Sequence, residues 1–464
     1  MTGTGAVAIN PATRVLRRGA GWVGDLTRRS PARAAIAIFV VAGLGFTLLL
    51  RLPAAAADGR ATPWADAVFT AVSAITVTGL TSVDTAEHWS AYGKVVILLA
   101  IQTGGLGIVT VALLLARAVT RRLGLGSRLF AQQAIGAPQL GEVKDLLRIV
   151  VVTTFVIEGA IAIALAPSFI TAEGWARGAW SSVFYAVSAF NNAGFSVHAG
   201  GVAAFGHHPG ILIPLTVAVL IGSLGFPVYL NLLHARWTRK RWTLHTKLTL
   251  ITTGILFVVG AAGWAVTEWG NRATIGDLPV AERVGNALFA SAMMRSGGFA
   301  MIDPADSTST TLLLTDALMF VGGGSVSTAG GIKVTTLAVL FLAIVAEARG
   351  VPHVTAAGRT IATGVLRVAI SVTFLGATLV LGGAGLITLV SDAPLDRILF
   401  EVISAFATCG LSVGLSAELG PFGMYVLSAL MLVGRVGPIA LATSLSVRRR
   451  NIRFQLPEER PIVG

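Results

Sequence analysis

Eight apolar runs, at roughly 34–52, 92–116, 146–168, 210–233, 247–268, 311–344, 363–390 and 422–446, decide what kind of object this chain can be. A helix needs about 20 mostly apolar residues to cross a bilayer. Seven runs fit one crossing; the run at 311–344 is too long for one and is interrupted by GGGSVSTAGGIKVTT at 322–336. Charged residues are 12% of the chain, against about 25% in soluble domains. The expectation is an all-α polytopic membrane protein embedded in a lipid bilayer.

Between successive pairs of runs lie four shorter apolar segments: DAVFTAVSAITVTGLTSVD (66–84), SSVFYAVSAFNNAGFSVH (181–198), GNALFASAMMRSGGFAMID (285–303) and ILFEVISAFATCGLSVG (398–414). Each ends in a pentad of small or polar residues closed by Gly-Leu or Gly-Phe. The pentads are Thr76-Val77-Thr78-Gly79-Leu80, Asn191-Asn192-Ala193-Gly194-Phe195, Arg295-Ser296-Gly297-Gly298-Phe299 and Ala407-Thr408-Cys409-Gly410-Leu411. The glycines recur about every 110 residues, too long a period for a small solenoid repeat. It suits four units of helix, re-entrant loop and helix. The repeats are 34–120, 146–235, 247–346 and 363–447, with a basic N-terminus at 1–33 and a C-terminal tail at 448–464. The second helix should run unbroken in units one, two and four, and break in unit three at a loop spanning 322–331.

Charge orients these units. If each begins and ends in the cytoplasm, the segments 1–35, 117–148, 236–247, 347–367 and 448–464 lie inside. They hold 25 of the 35 Lys and Arg but only six of the 22 acids, as the positive-inside rule requires. Both termini are then cytoplasmic, in a bacterial-type cell membrane. The net charge of +13 needs no nucleic acid. The stretch before Arg14, Arg17 and Arg18 lacks the apolar core of a signal peptide.

Non-helical backbone at membrane depth must be buried in protein or line water. Four such loops around one axis bring four sets of carbonyls together, and carbonyl rings can replace the hydration shell of an alkali cation. None of the pentads holds the Asp or Glu that divalent-selective sites use. Glycine allows the positive φ that turns carbonyls inward. A nucleotide-binding enzyme fits poorly. A phosphate loop needs Gly-Lys-Ser/Thr in succession, and here Ile332 and Val334 separate Gly331, Lys333 and Thr335. The other reading is a secondary transporter of another cation or small solute, whose broken helices usually come in two repeats. A lone cysteine, Cys409, gives neither a disulfide framework nor a zinc pattern.

The chain resembles the Trk/Ktr/HKT superfamily of potassium transporters, and most closely its KtrB-type membrane subunits. The resemblance covers about 34–446. It rests on SAITVTGL, on Gln102-Thr103-Gly104-Gly105-Leu106-Gly107-Ile108, on Gly222-Ser223-Leu224-Gly225-Phe226-Pro227, on Gly330-Gly331-Ile332-Lys333 and on Gly434-Arg435-Val436-Gly437-Pro438. It implies a pseudo-fourfold pore of eight spanning helices. The four pentads form the selectivity filter, with potassium at Thr78, Gly79, Gly194, Gly298 and Gly410. It further implies a gate at Gly322, Gly323, Gly324, Ser325, Ser327, Thr328, Gly330, Gly331 and Lys333, with Arg435 beside it. A homodimer is implied, with a cytosolic nucleotide-binding ring subunit of the KtrA or TrkA kind. Sodium is a coupling or activating ion in some members. In the plant branch Ser at the first glycine goes with sodium preference, so Gly79 implies potassium. The third pentad departs from the family's Arg-Thr-Ala-Gly-Phe, and Gly297 is expected to loosen that quarter of the filter.

Several residues carry two readings each. Arg295 either ties loop carbonyls together or acts on ion occupancy. Arg435 either repels cations or pairs with a carboxylate. Lys333 is a gate charge or snorkels to the cytoplasmic side. Glu158 is expected to satisfy a helix contact, and Asp316 either starts a water-facing helix or couples to transport. His198, His207 and His208 are expected to be solvated, and Trp22, Trp64, Trp89, Trp237 and Trp242 to anchor at the interfaces. Shortening 323–330 is expected to raise flux without altering selectivity.

Overall fold

Strong apolar runs broken by glycine produce long and short helices in alternation. The computed structural model describes residues 31–121, 143–206, 208–236 and 238–447. The basic N-terminus up to residue 30, most of the 117–148 segment, His207, Trp22, Trp237 and the tail at 448–464 lie outside the described residues. The first stretch contains α1 (Pro31–Leu50), short α2 (Trp64–Ile75) and α3 (Ala91–Arg121). The second contains α4 (Val143–Glu173), short α5 (Trp175–Phe190), α6 (Pro209–Leu224) and α7 (Phe226–His234). The third contains α8 (Leu244–Glu268), short α9 (Val280–Met293), α10 (Ser309–Phe320) and α11 (Val334–Ala348). The fourth contains α12 (Thr363–Thr388), short α13 (Leu395–Ala407) and α14 (Pro421–Val447).

These stretches pack in a closed circuit. α3 lies against α5, α6 against α9, α10 against α13, and α14 returns to α2. The short helices sit inside, with Phe69, Phe184, Phe190 and Phe400 fully buried. The long helices turn apolar side chains outward. Ile163, Val266 and Phe374 are each about three-quarters exposed, while Glu158, Asn191, Arg295 and Arg435 are buried. Polar inside and apolar outside suits a lipid solvent, where contiguous exposed apolar surface has no penalty. Among the described residues three helices are long and apolar enough to cross a membrane, and the bent α6–α7 pair adds a fourth if counted as one span. Lipid gives helices no hydrophobic drive to associate, so close packing by small residues takes its place. Gly104 of α3, Gly222 of α6 and Gly434 of α14 each stand against the end of their own stretch's short helix, at Ile75, Phe190 and Phe406.

The third stretch breaks as its glycines require: α10 ends at Phe320, a non-helical segment with a turn at 325–326 follows, and α11 begins at Val334. The second stretch corrects the sequence expectation. The run at 210–233 is not one helix but bends by 89° between α6 and α7. Gly225 is at φ 94° and Pro227 opens α7. The physical reason is mutual. Gly324 N donates to Ser223 O (2.7 Å), Thr328 N to Gly222 O (3.4 Å) and Phe226 N to Val326 O (3.2 Å). The two non-helical segments satisfy each other's backbone groups, which lipid could not do. Trp89 is also corrected: it is buried at 1% exposure in the core around Ala55, Ala71 and Ile97, not an interfacial anchor. Trp64 is half exposed, with the Arg51 guanidinium 3.9 Å over its ring.

Candidate functional site: four converging loops

The four short helices end in loops that meet at their glycines. Gly79, Gly194, Gly298 and Gly410 have φ of 98°, 69°, 71° and 93°, a region closed to most L-residues. A Cβ on Gly194 would lie 2.8 Å from Gly298 Cα and 3.2 Å from Gly297 O. One on Gly298 would lie 2.7 Å from Cys409 O and 3.4 Å from Gly410 Cα. One on Gly410 would meet the Thr78 carbonyl, and one on Gly79 the Ala193 carbonyl. Each loop therefore touches the next and the fourth touches the first. The ring brings together the carbonyls of Thr78, Ala193, Gly297 and Cys409.

Serine hydroxyls and backbone build the loops. Ser73 and Ser404, six residues before their glycines, accept through Oγ from Gly79 N and Gly410 N (both 3.1 Å). The carbonyls of Ser73, Ser188 and Ser404 accept from Thr78 N, Ala193 N and Cys409 N at 2.8, 2.7 and 2.9 Å. In these three loops the residue two before the glycine is itself left-handed: Val77 (φ 56°), Asn192 (φ 60°) and Thr408 (φ 48°). Such positions cost about 1–3 kcal/mol and concentrate at functional sites. The third loop differs. Its Ser291 stands seven residues before Gly298, so the loop has one residue more and needs no left-handed residue at Ser296. Gly297 is closely packed: a Cβ there would lie 2.9 Å from Met293 Cα and 3.0 Å from Val219 Cγ1. The buried Cys409 thiol donates to Met294 O (3.3 Å), and Thr76 Oγ1 is 2.8 Å from Thr78 Oγ1.

Behind the second loop, Glu158 is buried and accepts from Asn191 Nδ2 (2.8 Å) and Gln102 Nε2 (3.1 Å). Gln102 Oε1 in turn accepts from Asn191 Nδ2 (3.1 Å). Glu158 therefore makes the helix contact expected of it, joining α3, α4 and the second loop. Glu158→Ala strands these buried donors, each at about 1–3 kcal/mol. We expect a clear fall in the thermal midpoint of the protein in detergent, with a smaller fall for Glu158→Gln. A midpoint within error of wild type would refute this network.

The Gly-rich segment lies against the loops. Ser327 Oγ donates to Gly324 O (2.7 Å), and Ser325 Oγ is 3.1 Å from Thr335 Oγ1. A Cβ on Gly330 would meet Ala407 O at 2.7 Å and the Thr408 hydroxyl closer still. Gly322 and Gly323 pack on Gly331 and Ala329. Arg295, 2% exposed, donates to Thr253 O of α8 (3.2 Å) and to Gly322 O (3.4 Å), so it joins that helix to the Gly-rich segment. Arg435, also buried, donates through Nη1 to Thr328 O, and no ion pair to a carboxylate is recorded for it among the described residues. The Lys333 ammonium donates to Ala329 O (2.6 Å) of its own segment, and no carboxylate pairs with it among the described residues. Asp316 is buried, with one carboxylate oxygen unpartnered among the described residues.

Two features escaped the sequence reading. Thr328 Oγ1 reaches Asn192 in the second loop (3.0 Å), far away in sequence. His198 is not fully solvated as expected. Its ring stacks on Phe169 and Tyr185 and faces Glu173 Oε1 at 2.9 Å. Burial lowers its imidazole below the usual range, and the Glu173 carboxylate opposes that shift. His208 is exposed at the start of α6.

A helical protein with buried polar loops and an apolar outer surface has the architecture of a membrane protein. Residues 24–451 match the family described as TrkH, cation transport protein, and the chain belongs to that family. It is 34% identical over 425 residues to the Ktr system potassium uptake protein B of Bacillus subtilis, covering 91% of this chain and 95% of that protein. It is also 34% identical over 443 residues to the potassium/sodium uptake protein NtpJ of Enterococcus hirae, covering 94% and 98%. The crystal structure of the potassium transporter TrkH from Vibrio parahaemolyticus shares the fold, with a TM-score of 0.70 at 19% identity over 89% of this chain and 84% of that one.

Proposed function

We propose that this chain is the ion-conducting membrane subunit of a potassium uptake system, and not an enzyme, with the glycine ring as its selectivity filter. The observation that supports this most is the closed circuit from Gly79 through Gly194 and Gly298 to Gly410, with four carbonyls beside it. Carbonyl oxygens in such a ring substitute for the water around a large monovalent cation. No pentad carries a carboxylate that would favour a divalent ion. The names of the relatives in Bacillus subtilis and Enterococcus hirae point to potassium, with sodium as a second ion of interest.

In this reading four repeats surround one path, with eight spans, both termini in the cytoplasm and a homodimer in the cell membrane. The segment 322–331 lies across the path beneath the ring and blocks it, with Lys333 and Arg435 adding positive charge. A cytosolic nucleotide-binding ring subunit of the KtrA or TrkA kind moves that segment aside. The test is rubidium and sodium flux in proteoliposomes holding the full chain, with and without such a subunit. Rubidium flux above sodium flux, raised by the subunit, is the expected result. Equal fluxes of the two ions would rule out the ring as a filter, and flux indifferent to the subunit would rule out the control.

A further inference from the structure

Thr328 makes contacts on two sides. Its carbonyl accepts from Arg435, and its side chain, 2% exposed, points the other way into the second loop. The hydroxyl lies 2.9 Å from Gly222 O, 3.1 Å from Phe190 O and 3.0 Å from the Asn192 side-chain amide. Phe190 closes α5, and Asn192 stands two residues before Gly194. One orientation of the Asn192 amide satisfies its neighbours: its oxygen accepts from Thr328 Oγ1 and Ser223 N (3.3 Å) while its nitrogen donates to Val219 O (3.1 Å). The reverse orientation also touches Thr328 Oγ1, through the nitrogen, but sets the oxygen against an acceptor. Contact with the Thr328 hydroxyl is common to both.

Asn192 is left-handed at φ 60°. Asparagine tolerates that region in loops because its side chain bonds to nearby backbone. Here the side chain is bonded to Thr328, 136 positions away in the Gly-rich segment, and to the Val219 and Ser223 backbone of α6. The matching residues of the other loops have no such tie. Val77 has no polar side-chain atom, and Thr408 Oγ1 has no hydrogen-bond partner among the described residues.

We propose that Thr328 is a positioning residue that couples the Gly-rich segment to the ring. Its hydroxyl adds to the hold that α6 has on Asn192, and through it on the Ala193 and Gly194 backbone, only while the segment is in place. Displacing the segment removes the hydroxyl, loosens that quarter of the ring and lowers cation preference as flux rises. The inference rests on the reading of the ring as a filter and the segment as a block. It replaces the expectation that shortening 323–330 leaves selectivity untouched.

The test uses the purified full chain in proteoliposomes, with rubidium and sodium uptake measured in parallel. Thr328→Val keeps the shape and loses the hydroxyl, Thr328→Ala does so without bulk should valine be poorly accommodated, and Thr328→Ser restores the hydroxyl. In Val and Ala we expect higher flux and a rubidium-over-sodium preference reduced about 2- to 10-fold, the range of one hydrogen bond. Thr328→Ser should return both values towards wild type. Raised flux with wild-type preference in Val and Ala overturns the coupling, as does a loss of preference that Ser fails to restore. A wild-type protein that shows no preference overturns the filter reading itself, and the coupling with it.

Discussion

Gly79→Ser reduces the preference for potassium over sodium by about tenfold or more, measured as rubidium against sodium flux. The backbone at this position is at φ 98°, and an L-residue held in left-handed geometry costs about 1–2 kcal/mol. That is about a tenfold change wherever it falls on the barrier for one ion more than the other. The added Cβ would also press on the Ala193 carbonyl and stand 3.2 Å from Gly194 Cα. Neither contact is the yielding tip of a flexible side chain, so the ring has to shift. The shift moves a carbonyl proposed to face the ion, and a smaller, better-hydrated cation gains from a widened ring. Gly45→Ala is the control. It lies within α1, at a normal helical φ, with nothing within 4 Å of the added methyl. Preference unchanged in Gly79→Ser, with protein present in the membrane, would remove Gly79 from the filter.

What the sequence made legible follows from which signals are local. The four pentads could be read because glycine is the residue that accepts positive φ, and Gly79, Gly194, Gly298 and Gly410 all have it. The break before Val334 could be read because five glycines cannot continue a helix at that depth. The bend at Gly225 was hidden, although Gly225 and Pro227 were in view, because the apolar run at 210–233 has no charged residue to interrupt it. Hydropathy counts residues and says nothing of direction. The extra residue of the third loop was also in view, in the seven residues from Ser291 to Gly298 against six elsewhere, but alignment on the glycines masked it. Thr328 against Asn192 and His198 against Phe169 are contacts between distant segments of chain, and no spacing rule marks them. Trp89 illustrates the same limit. Its place at the end of an apolar run suggests an interface, while its burial depends on α3 folding back beside Ala55.

Arg435→Met raises rubidium flux by about tenfold or more in the absence of any partner subunit, and leaves the rubidium-over-sodium preference near wild type. Arg435 is 3% exposed, and two of its side-chain nitrogens have no hydrogen-bond partner among the described residues. A buried charge without a counter-ion is expensive, and replacing one with an apolar side chain of similar volume is often neutral or stabilising. A sequence that keeps Arg435 there gains something other than stability. A unit charge about 4 Å from a passing cation opposes it by about 4 kcal/mol at an effective dielectric of about 20. A third of that is about tenfold in rate. Methionine also releases the Thr328 carbonyl, but the ties from Gly324 N to Ser223 O and from Thr328 Oγ1 to Gly222 O still hold the segment in place. The Thr328 hydroxyl still holds Asn192, so the ring keeps its shape until the segment moves. Arg435→Lys keeps the charge and should stay close to wild type in flux. Flux unchanged in Arg435→Met, with a thermal midpoint well below wild type, would instead identify Arg435 as a structural tie and remove it from the barrier. If flux rises and preference collapses together in Arg435→Met, both sides of Thr328 move as one. The coupling would then begin at the arginine, upstream of the hydroxyl that touches the ring.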